Sequence, residues 1–216
     1  MSALPRLRRG FLWQIVVHNG AGWYTVELCF AILAPRAFHV ECDAILGATE
    51  VPMESESVAN YFLEKAFDTG VSISQMKLLK LVYIAHGWHR GCFGRNLIKE
   101  AVEAWQYGPV IPDLYAKVKH YGRGHINAPI PDHGIAGDRN NPFPHPQTGE
   151  LLDQVWTSYR SYTAIQLSEI THRPGTPWDQ VWNRSGGSVY EGAIIPNELI
   201  EFYYKQKING QHEQGA

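Results

Sequence analysis

The sequence contains little of what usually marks a disulfide-bonded or membrane protein. Its three cysteines, Cys29, Cys42 and Cys92, are odd in number and widely spaced, and none belongs to a CxxC pair. This spacing argues against a disulfide framework and a structural zinc site, and it favours a reducing cytoplasm. No run of residues approaches the roughly 18 apolar residues of a membrane-spanning helix, so we expect no membrane association.

An excess of charge of one sign is also missing. The formal net charge is −2 for 216 residues, which provides no basic surface for a phosphate backbone. Nothing in the sequence therefore argues for nucleic-acid binding. Hydrophobic residues make up 44% of the chain and charged residues 19%, which predicts a globular protein with a core of ordinary domain size.

The motifs of common enzymes are absent as well. There is no HExxH helix, no GxSxG elbow and no phosphate-binding P-loop. Cys92 is a single thiol without a recognisable catalytic motif, so a core or surface thiol is the better explanation for it. We therefore expect no enzyme, no catalytic residue and no cofactor.

Ten histidines keep one alternative open. His86 and His89 stand three residues apart on a predicted helix, where both could face one metal ion in a metal-dependent enzyme that uses clustered histidines. The simpler interpretation places one of them at the helix end, where an imidazole suits the negative end of the helix dipole. The remaining ligands would have to come from irregularly spaced histidines, namely His120, His125, His133, His145 or His172. We therefore expect no metal.

The first 52 residues differ from the rest of the chain. Their apolar residues follow neither a helical nor a strand period, and the segment ends at Val51-Pro52-Met53. We predict that residues 1–52 form an N-terminal extension, for which an upstream translation start is one explanation, and that residues 53–208 form the domain. The alternative is that WYTVELCFAIL is a short strand docked on the body. Residues 209–216 are expected to be a frayed tail.

Helical signals dominate from Met53 onward. Ser57 is a candidate N-cap for a helix that runs to Phe67. Ser72 and Gln75 match a capping box, and the helix that follows is expected to run to about His89. Apolar residues surround most of its circumference, which predicts a central, buried helix.

An extended segment is predicted next, over residues 96–105. Tyr107-Gly108-Pro109-Val110 is expected to be a turn or extended link, because the residue before a proline avoids helical angles. Pro112 is well placed to open the following helix, with Gly122 as its stop. A long loop of irregular structure is predicted from Gly122 to Gly149.

The last third of the chain carries further helix signals. Helical spacing resumes at Leu151, Thr163 and Gln166 match a second capping box, and Thr176 precedes a third helix start. Pro196 is expected to open a final helix that ends near Lys207. The sequence thus predicts a mostly α fold: a compact single helical domain with a central buried helix and a short β-strand or hairpin element.

Three segments occur in a characteristic order, QMKLLKLVYIAHGWH, EAVEAWQYGPVIPDLY and LSEITHRPGTPW. Together they make the chain resemble the Panacea domain family, also called SocA-like or GepA-type phage-associated proteins, over about residues 53–205. The resemblance implies a cytoplasmic antitoxin of a toxin–antitoxin module, often prophage-borne, that neutralises a co-encoded toxin by direct binding. A SocA-type member instead delivers its toxin to the ClpXP protease, which leaves a proteolytic adaptor as an alternative. No catalytic residue comes with the resemblance.

Within these motifs, some residues are expected to hold the fold and others to bind a partner. Trp105, Tyr107 and His172 are candidates for the toxin interface, because rings beside a rigid turn make good anchors. Lys77 and Lys80 have two interpretations: their ammonium groups reach solvent at the edge of an apolar surface, or they form a small basic patch for an acidic partner. The expected fold determinants are Leu79, Tyr83, Trp88, Gly108, Pro109 and Trp178.

Overall fold

A computed structural model describes residues 51–131, 143, 145–184 and 192–214, together with two strands nearer the N-terminus. The chain divides into two compact units, Met1–Ala37 and Phe38–Ala216. In the first unit, β1 (Gln14–His18) pairs with β2 (Trp23–Glu27) in an antiparallel ladder that sets Val16 opposite Thr25. The segment therefore contains a strand at Trp23–Glu27, although its sequence lacks a steady period. Its role as an extension stays a prediction.

The second unit is mostly helical and carries a small antiparallel sheet, which confirms the predicted fold class. Its elements are, in order, α1 (Ser55–Thr69), α2 (Gln75–Phe93), β3 (Glu103–Trp105), β4 (Gly108–Val110), α3 (Pro112–Val118), α4 (Pro146–Tyr159), α5 (Ala164–His172), α6 (Pro177–Arg184), β5 (Ala193–Ile194) and α7 (Asn197–Gln214). A 3₁₀ turn at Lys119–Tyr121 follows α3.

Helix α2 is the centre of this unit, as predicted. It packs against α1, α4, α5 and α7, and most of its side chains are buried around the whole circumference. A helix that is apolar around its whole circumference can bury all of its side chains only at the centre of a domain, where other elements pack against every side. Two of its glycines allow the closest of these contacts, because a Cβ at Gly87 or Gly91 would overlap Tyr204 of α7.

The start and end of α2 differ from the prediction. Ser74, not Ser72, is the N-cap, and its Oγ accepts a hydrogen bond from the amide of Lys77 at 3.4 Å. The reason is tertiary: the carbonyl of Ile73 accepts a hydrogen bond from the amide of Ile126, and this contact keeps the preceding residues extended. The helix ends at Phe93, beyond His89, where Gly94 adopts φ 66°.

Helix α1 begins at Ser55, two residues before the predicted cap at Ser57. A side chain distant in sequence supplies the cap: Glu100 accepts hydrogen bonds from the amide of Ser55 at 2.9 Å and from its hydroxyl at 2.7 Å. A carboxylate here also faces the positive end of the helix dipole. Met53 is held close by, since its amide donates to the carbonyl of Leu97 and its carbonyl accepts from the amide of Lys99.

The sheet has the strand order β4-β3-β5, with both neighbours antiparallel to β3. Ala104 lies at its centre, opposite Pro109 on one side and Ala193 on the other. The strand at Glu103–Trp105 is shorter than the predicted extended segment of residues 96–105. The Tyr107–Val110 segment contributes β4, so it forms a hairpin with β3.

The other predicted helix starts agree with the structure except that of α4, which begins at Pro146, inside the loop predicted from Gly122 to Gly149. Pro112 opens α3, with Asp113 in its first turn. Thr163 and Gln166 form a complete capping box, with distances of 2.8 and 3.2 Å. Helix α7 begins at Asn197 but continues to Gln214, well past the predicted end at Lys207. Among the described residues, no helix is long and apolar enough to cross a membrane.

Candidate partner-binding surface

The hairpin of β3 and β4 meets helix α5, which brings the second and third sequence motifs together. The hydroxyl of Ser168 donates to the carbonyl of Tyr107 at 3.3 Å, and Nε2 of His172 lies 3.4 Å from the carbonyl of Gln106. Nδ1 of His172 lies 2.5 Å from the carbonyl of Ser168. The turn at Gln106-Tyr107 is therefore fixed to α5 through its backbone, and the side chain of Tyr107 stays free to face solvent.

Gly108 and Pro109 form the inner side of this turn. Gly108 has φ 100°, which an L side chain rarely adopts, and a Cβ there would lie 2.5 Å from Nζ of Lys80 and 2.8 Å from Cε1 of His172. The carbonyl of Pro109 accepts a hydrogen bond from Nζ of Lys80 at 3.0 Å. The turn thus closes directly over the end of a buried lysine.

The two lysines of α2 do not form a surface basic patch, which corrects that interpretation. Lys80 is 2% exposed and Lys77 is 7% exposed. Nζ of Lys77 donates to the carbonyl of Arg160 at 2.6 Å, just as Lys80 bonds to Pro109. The ammonium group of Lys80 ends inside the fold on a backbone oxygen, whereas that of Lys77 is partly buried against the carbonyl of Arg160. A role of Lys77 and Lys80 in partner binding stays a prediction.

Burial sets the electrostatics of both groups. It lowers the pKa of Lys80 to about 7, because the charged amine has lost most of its water, and partial burial lowers the pKa of Lys77 as well. A lysine with a pKa near 7 is neutral in about half of the molecules at neutral pH. Lys80 therefore acts as a hydrogen-bond donor to the turn rather than as a fixed positive charge.

Two tryptophans support the hairpin from its sides. The indole of Trp178 donates to the carbonyl of Trp105 at 2.8 Å, and its ring lies 3.9 Å from that of His172, centroid to centroid. Trp105 is half-buried; its ring meets Tyr115 edge to face at 5.1 Å, and its Nε1 donates to Glu103 at 2.8 Å. Trp105 and His172 therefore shape the support of the turn and keep only part of their surface in solvent.

Tyr107 on the turn and Ile165 on α5 both carry large exposed apolar side chains, at 66% and 68% exposure. Ile165 precedes Ser168 by three residues on α5, so both lie on the helix face that contacts the turn. We name the group of Trp105, Tyr107, Ile165, Ser168 and His172 the hairpin surface. The sequence analysis did not identify Ile165 as a candidate. Its position two residues after the N-cap Thr163, outside the apolar stripe of α5, is the signal that could have identified it.

The residues expected to hold the fold are buried, and their role as fold determinants stays a prediction. All six are buried, on α2, on the hairpin and at the start of α6: Leu79, Tyr83, Trp88, Gly108, Pro109 and Trp178. Trp88 also donates its indole proton to the hydroxyl of Tyr159 at 3.2 Å.

The two histidines of α2 point to separate structural partners. Nε2 of His86 lies 3.0 Å from Oδ1 of Asn197, and Nδ1 of His86 accepts from the amide of Ile98 at 3.5 Å. Nδ1 of His89 lies 3.0 Å from the carbonyl of Arg95, and its Nε2 lies 3.4 Å from the hydroxyl of Thr148. Burial lowers the pKa of His86 to about 4, which keeps this ring neutral.

The metal alternative therefore finds no support where the chain is described. Across the described side chains of residues 51–131, 145–184 and 192–210, no three His, Cys, Asp or Glu side chains are grouped in a way that could hold an ion. His133 lies outside the described residues. Cys92 is buried on α2, where it serves packing.

The fold and this surface define a class of protein: a mostly helical domain with an exposed aromatic turn fixed on a rigid core. A family profile described as "Antitoxin SocA-like, Panacea domain" matches residues 78–179, which span α2, the hairpin, α5 and the start of α6. Antitoxin SocA of Caulobacter vibrioides (strain NA1000 / CB15N) is 30% identical over 161 residues, which cover 73% of this chain and 86% of that protein. The chain belongs to the SocA-like Panacea family. No solved structure matches it.

Proposed function

We propose that this chain is a cytoplasmic antitoxin that silences a co-encoded toxin by direct protein–protein binding, without catalysing a reaction. Family membership is the observation that carries the proposal, because the similarity to antitoxin SocA extends over most of both chains.

The hairpin surface is the part of the molecule that we propose contacts the toxin. Tyr107 and Ile165 expose large apolar side chains, yet their backbones are held by α5 and by its capping box. An exposed ring on a rigid support loses little conformational entropy on binding, which is what interface anchors require. Trp105 and His172 would contribute mainly by keeping the turn in place.

The experiment pairs this chain with the product of the neighbouring gene. Co-expression should rescue growth, and the two proteins should purify together. Tyr107→Ala and Ile165→Ala are each expected to weaken the complex by about 1–3 kcal/mol, or roughly 5- to 150-fold in Kd, without lowering the melting temperature. Phe202→Ala is the matched control. Phe202 is 61% exposed on α7, so this substitution removes an exposed ring from outside the hairpin surface.

The outcomes separate the alternatives. Failure of both growth rescue and co-purification would contradict the proposed function. Rescue in which the toxin disappears only when a ClpXP-type protease is present would favour the proteolytic adaptor instead. Rescue with full affinity in both hairpin variants would leave the antitoxin role standing and place the interface elsewhere.

A further inference from the structure

The three sequence segments on which the family resemblance rests meet at one turn. Lys80 lies in the first segment, residues 106–109 lie in the second, and Ser168 and His172 lie in the third. In the fold these parts come from α2, the β3–β4 hairpin and α5. The contacts between them are of one kind, because each sets a side chain of a helix against a backbone carbonyl of the hairpin.

The carbonyl of Pro109 faces away from the sheet. The amide of Ile195 donates to the carbonyl of Val102, so every second residue counted from Val102 directs its backbone groups toward β5. Ala104 is one of these residues, which leaves its partner on the other side, Pro109, without a hydrogen bond to β3. Since β4 is an edge strand in the described part of the chain, no further strand supplies a donor. The Pro109 carbonyl therefore depends on a donor from outside the sheet.

Helices α2 and α5 supply the donors for the turn. Nζ of Lys80 donates to the Pro109 carbonyl at 3.0 Å. The hydroxyl of Ser168 donates to the carbonyl of Tyr107 at 3.3 Å, and Nε2 of His172 lies 3.4 Å from the carbonyl before it. We name Lys80, Ser168 and His172 the turn donors. They hold the backbone on both sides of Tyr107, whose side chain is 66% exposed.

Lys80 itself is placed where no partner can touch it. Its side chain is 2% exposed, and the backbone of Gly108 covers its amine so closely that a Cβ there would lie 2.5 Å from Nζ. A partner docked on the hairpin surface therefore meets Tyr107 and not the lysine. Any effect of Lys80 on binding has to pass through the turn.

We propose that the turn donors are positioning residues for partner binding, which hold the Tyr107 turn in its binding conformation before the partner arrives. That the partner is the toxin rests on the proposed function. A turn that lacks one donor samples other conformations, and the affinity falls by the fraction of molecules that keep the competent one. For one lost hydrogen bond this fall is about 3- to 30-fold. Lys80 thereby links the central helix to an interface that it does not contact.

The first experiment uses the full chain alone and so does not depend on the toxin. Hydrogen exchange of the backbone amides is followed by NMR in the wild type, Lys80→Met and Ser168→Ala. Loss of a donor is expected to speed exchange about 3- to 30-fold at Gly108 and Val110, the two residues of β4 that carry an amide proton, because the turn opens more often. Exchange at the centre of α4 should stay the same.

Lys77→Met is the matched control for exchange. Nζ of Lys77 also donates to a backbone carbonyl, but to that of Arg160, outside the hairpin, so this variant should leave exchange in β4 unchanged. Unchanged exchange in Lys80→Met, or an equal rise throughout the protein, would overturn the proposal, because Lys80 would then not hold the turn in particular.

The second experiment measures the Kd of the toxin complex in a double-mutant cycle of Lys80→Met and Tyr107→Ala. Lys80→Met is expected to weaken binding about 3- to 30-fold in the wild type but less than about 2-fold in Tyr107→Ala, because the turn then has no ring to position. Ser168→Ala should behave in the same way, and Ser168→Thr, which keeps the hydroxyl, should retain the affinity. A lysine that only stabilised the fold would lower the affinity equally in both backgrounds. Melting temperatures verify that each variant folds.

The two proposals fail in distinguishable ways. If the wild type neither binds nor neutralises the toxin, the proposed function fails, and hydrogen exchange still decides whether the turn donors hold the turn. If the wild type binds but Lys80→Met binds equally well, or weakens binding equally with and without the Tyr107 ring, the inference is overturned while the antitoxin role stands.

Discussion

At the scale of single residues, Lys80 is the most unusual group in the described fold. Its ammonium lies inside the core, bonded to the carbonyl of Pro109, and burial lowers its pKa to about 7 from an ordinary value of 10.5. The unfolded chain therefore binds more protons than the folded chain between pH 7 and about pH 10. Stability must therefore rise with pH across that window, and the buried charge of Lys80 lowers the free energy of unfolding most at and below neutral pH.

This leads to a prediction for Lys80→Met, which keeps a long side chain without the charge. As the pH rises from 7.5 to 9, deprotonation of Lys80 is expected to increase the wild-type free energy of unfolding by about 1–2 kcal/mol, and the variant should lack this increase. Urea denaturation at several pH values measures it. Staying at or below pH 9 avoids the ionisation of tyrosines, whose pKa values in this fold are raised.

Lys119→Met serves as the control, since Lys119 is exposed at the end of α3 and should leave the pH dependence of stability unchanged. Equal pH profiles for wild type and Lys80→Met would show that the amine of Lys80 is solvated rather than buried.

At the scale of elements, the closest packing in the fold is that of α2 against α7. A Cβ built on Gly87 would lie 2.7 Å from Cδ2 of Tyr204 and closer still to Cε2 and Cζ, and Tyr204 is itself buried. Gly87 is therefore required by the neighbouring helix, although glycine is a poor helix former. The glycine lets a tyrosine ring lie directly on the α2 backbone.

We predict that Gly87→Ala destabilises the protein by about 1–3 kcal/mol despite the better helix propensity of alanine, because the added methyl group forces the Tyr204 ring aside. Gly149→Ala is the control: on α4 its Cβ would meet only Cδ2 of Phe143, at an ordinary 3.5 Å, and should stabilise by roughly 0.5–1 kcal/mol. Thermal and urea unfolding report both. A cost for Gly87→Ala that persists unchanged in a Tyr204→Leu background would contradict the explanation.

The elements also show what a sequence can predict. The capping box of Thr163 and Gln166 and the helix start at Pro112 are local, since every group involved lies within a few residues, and both were predicted. The cap of α1 comes from Glu100, 45 residues beyond Ser55, so no local pattern could reveal it. The N-cap at Ser74 instead of Ser72 has the same origin, because a partner near Ile126 decides it.

The same distinction holds for the candidate site. That Tyr107 lies on a turn follows from Gly108 and Pro109, which are adjacent in sequence. The sequence predicted a position at a solvent edge or in a basic patch for Lys80. The burial of its ammonium group could not be predicted, because the carbonyl that accepts its hydrogen bond belongs to Pro109, 29 residues away.

At the scale of the whole molecule, the described core begins close to Met53. Backbone hydrogen bonds tie Met53 to Leu97 and Lys99, Glu54 forms an ion pair with Lys99, and Glu100 caps α1 at Ser55. The buried apolar side chains of the described residues run from Val58 to Tyr204. Residues 53–216 thus contain both this core and the contacts that fasten its first helix, and we propose that they fold without residues 1–52.

We predict that a chain of residues 53–216 unfolds within about 1 kcal/mol of the full protein and still neutralises the toxin. A chain of residues 57–216 is the control: it loses the Met53 bridge, the Glu54 ion pair and the Glu100 cap, and should be less stable by at least about 2 kcal/mol. Urea denaturation compares the three proteins, and growth rescue tests their function. If the 53–216 chain fails to fold while the full chain is stable, residues 1–52 belong to the structural core, and the domain does not begin at Met53.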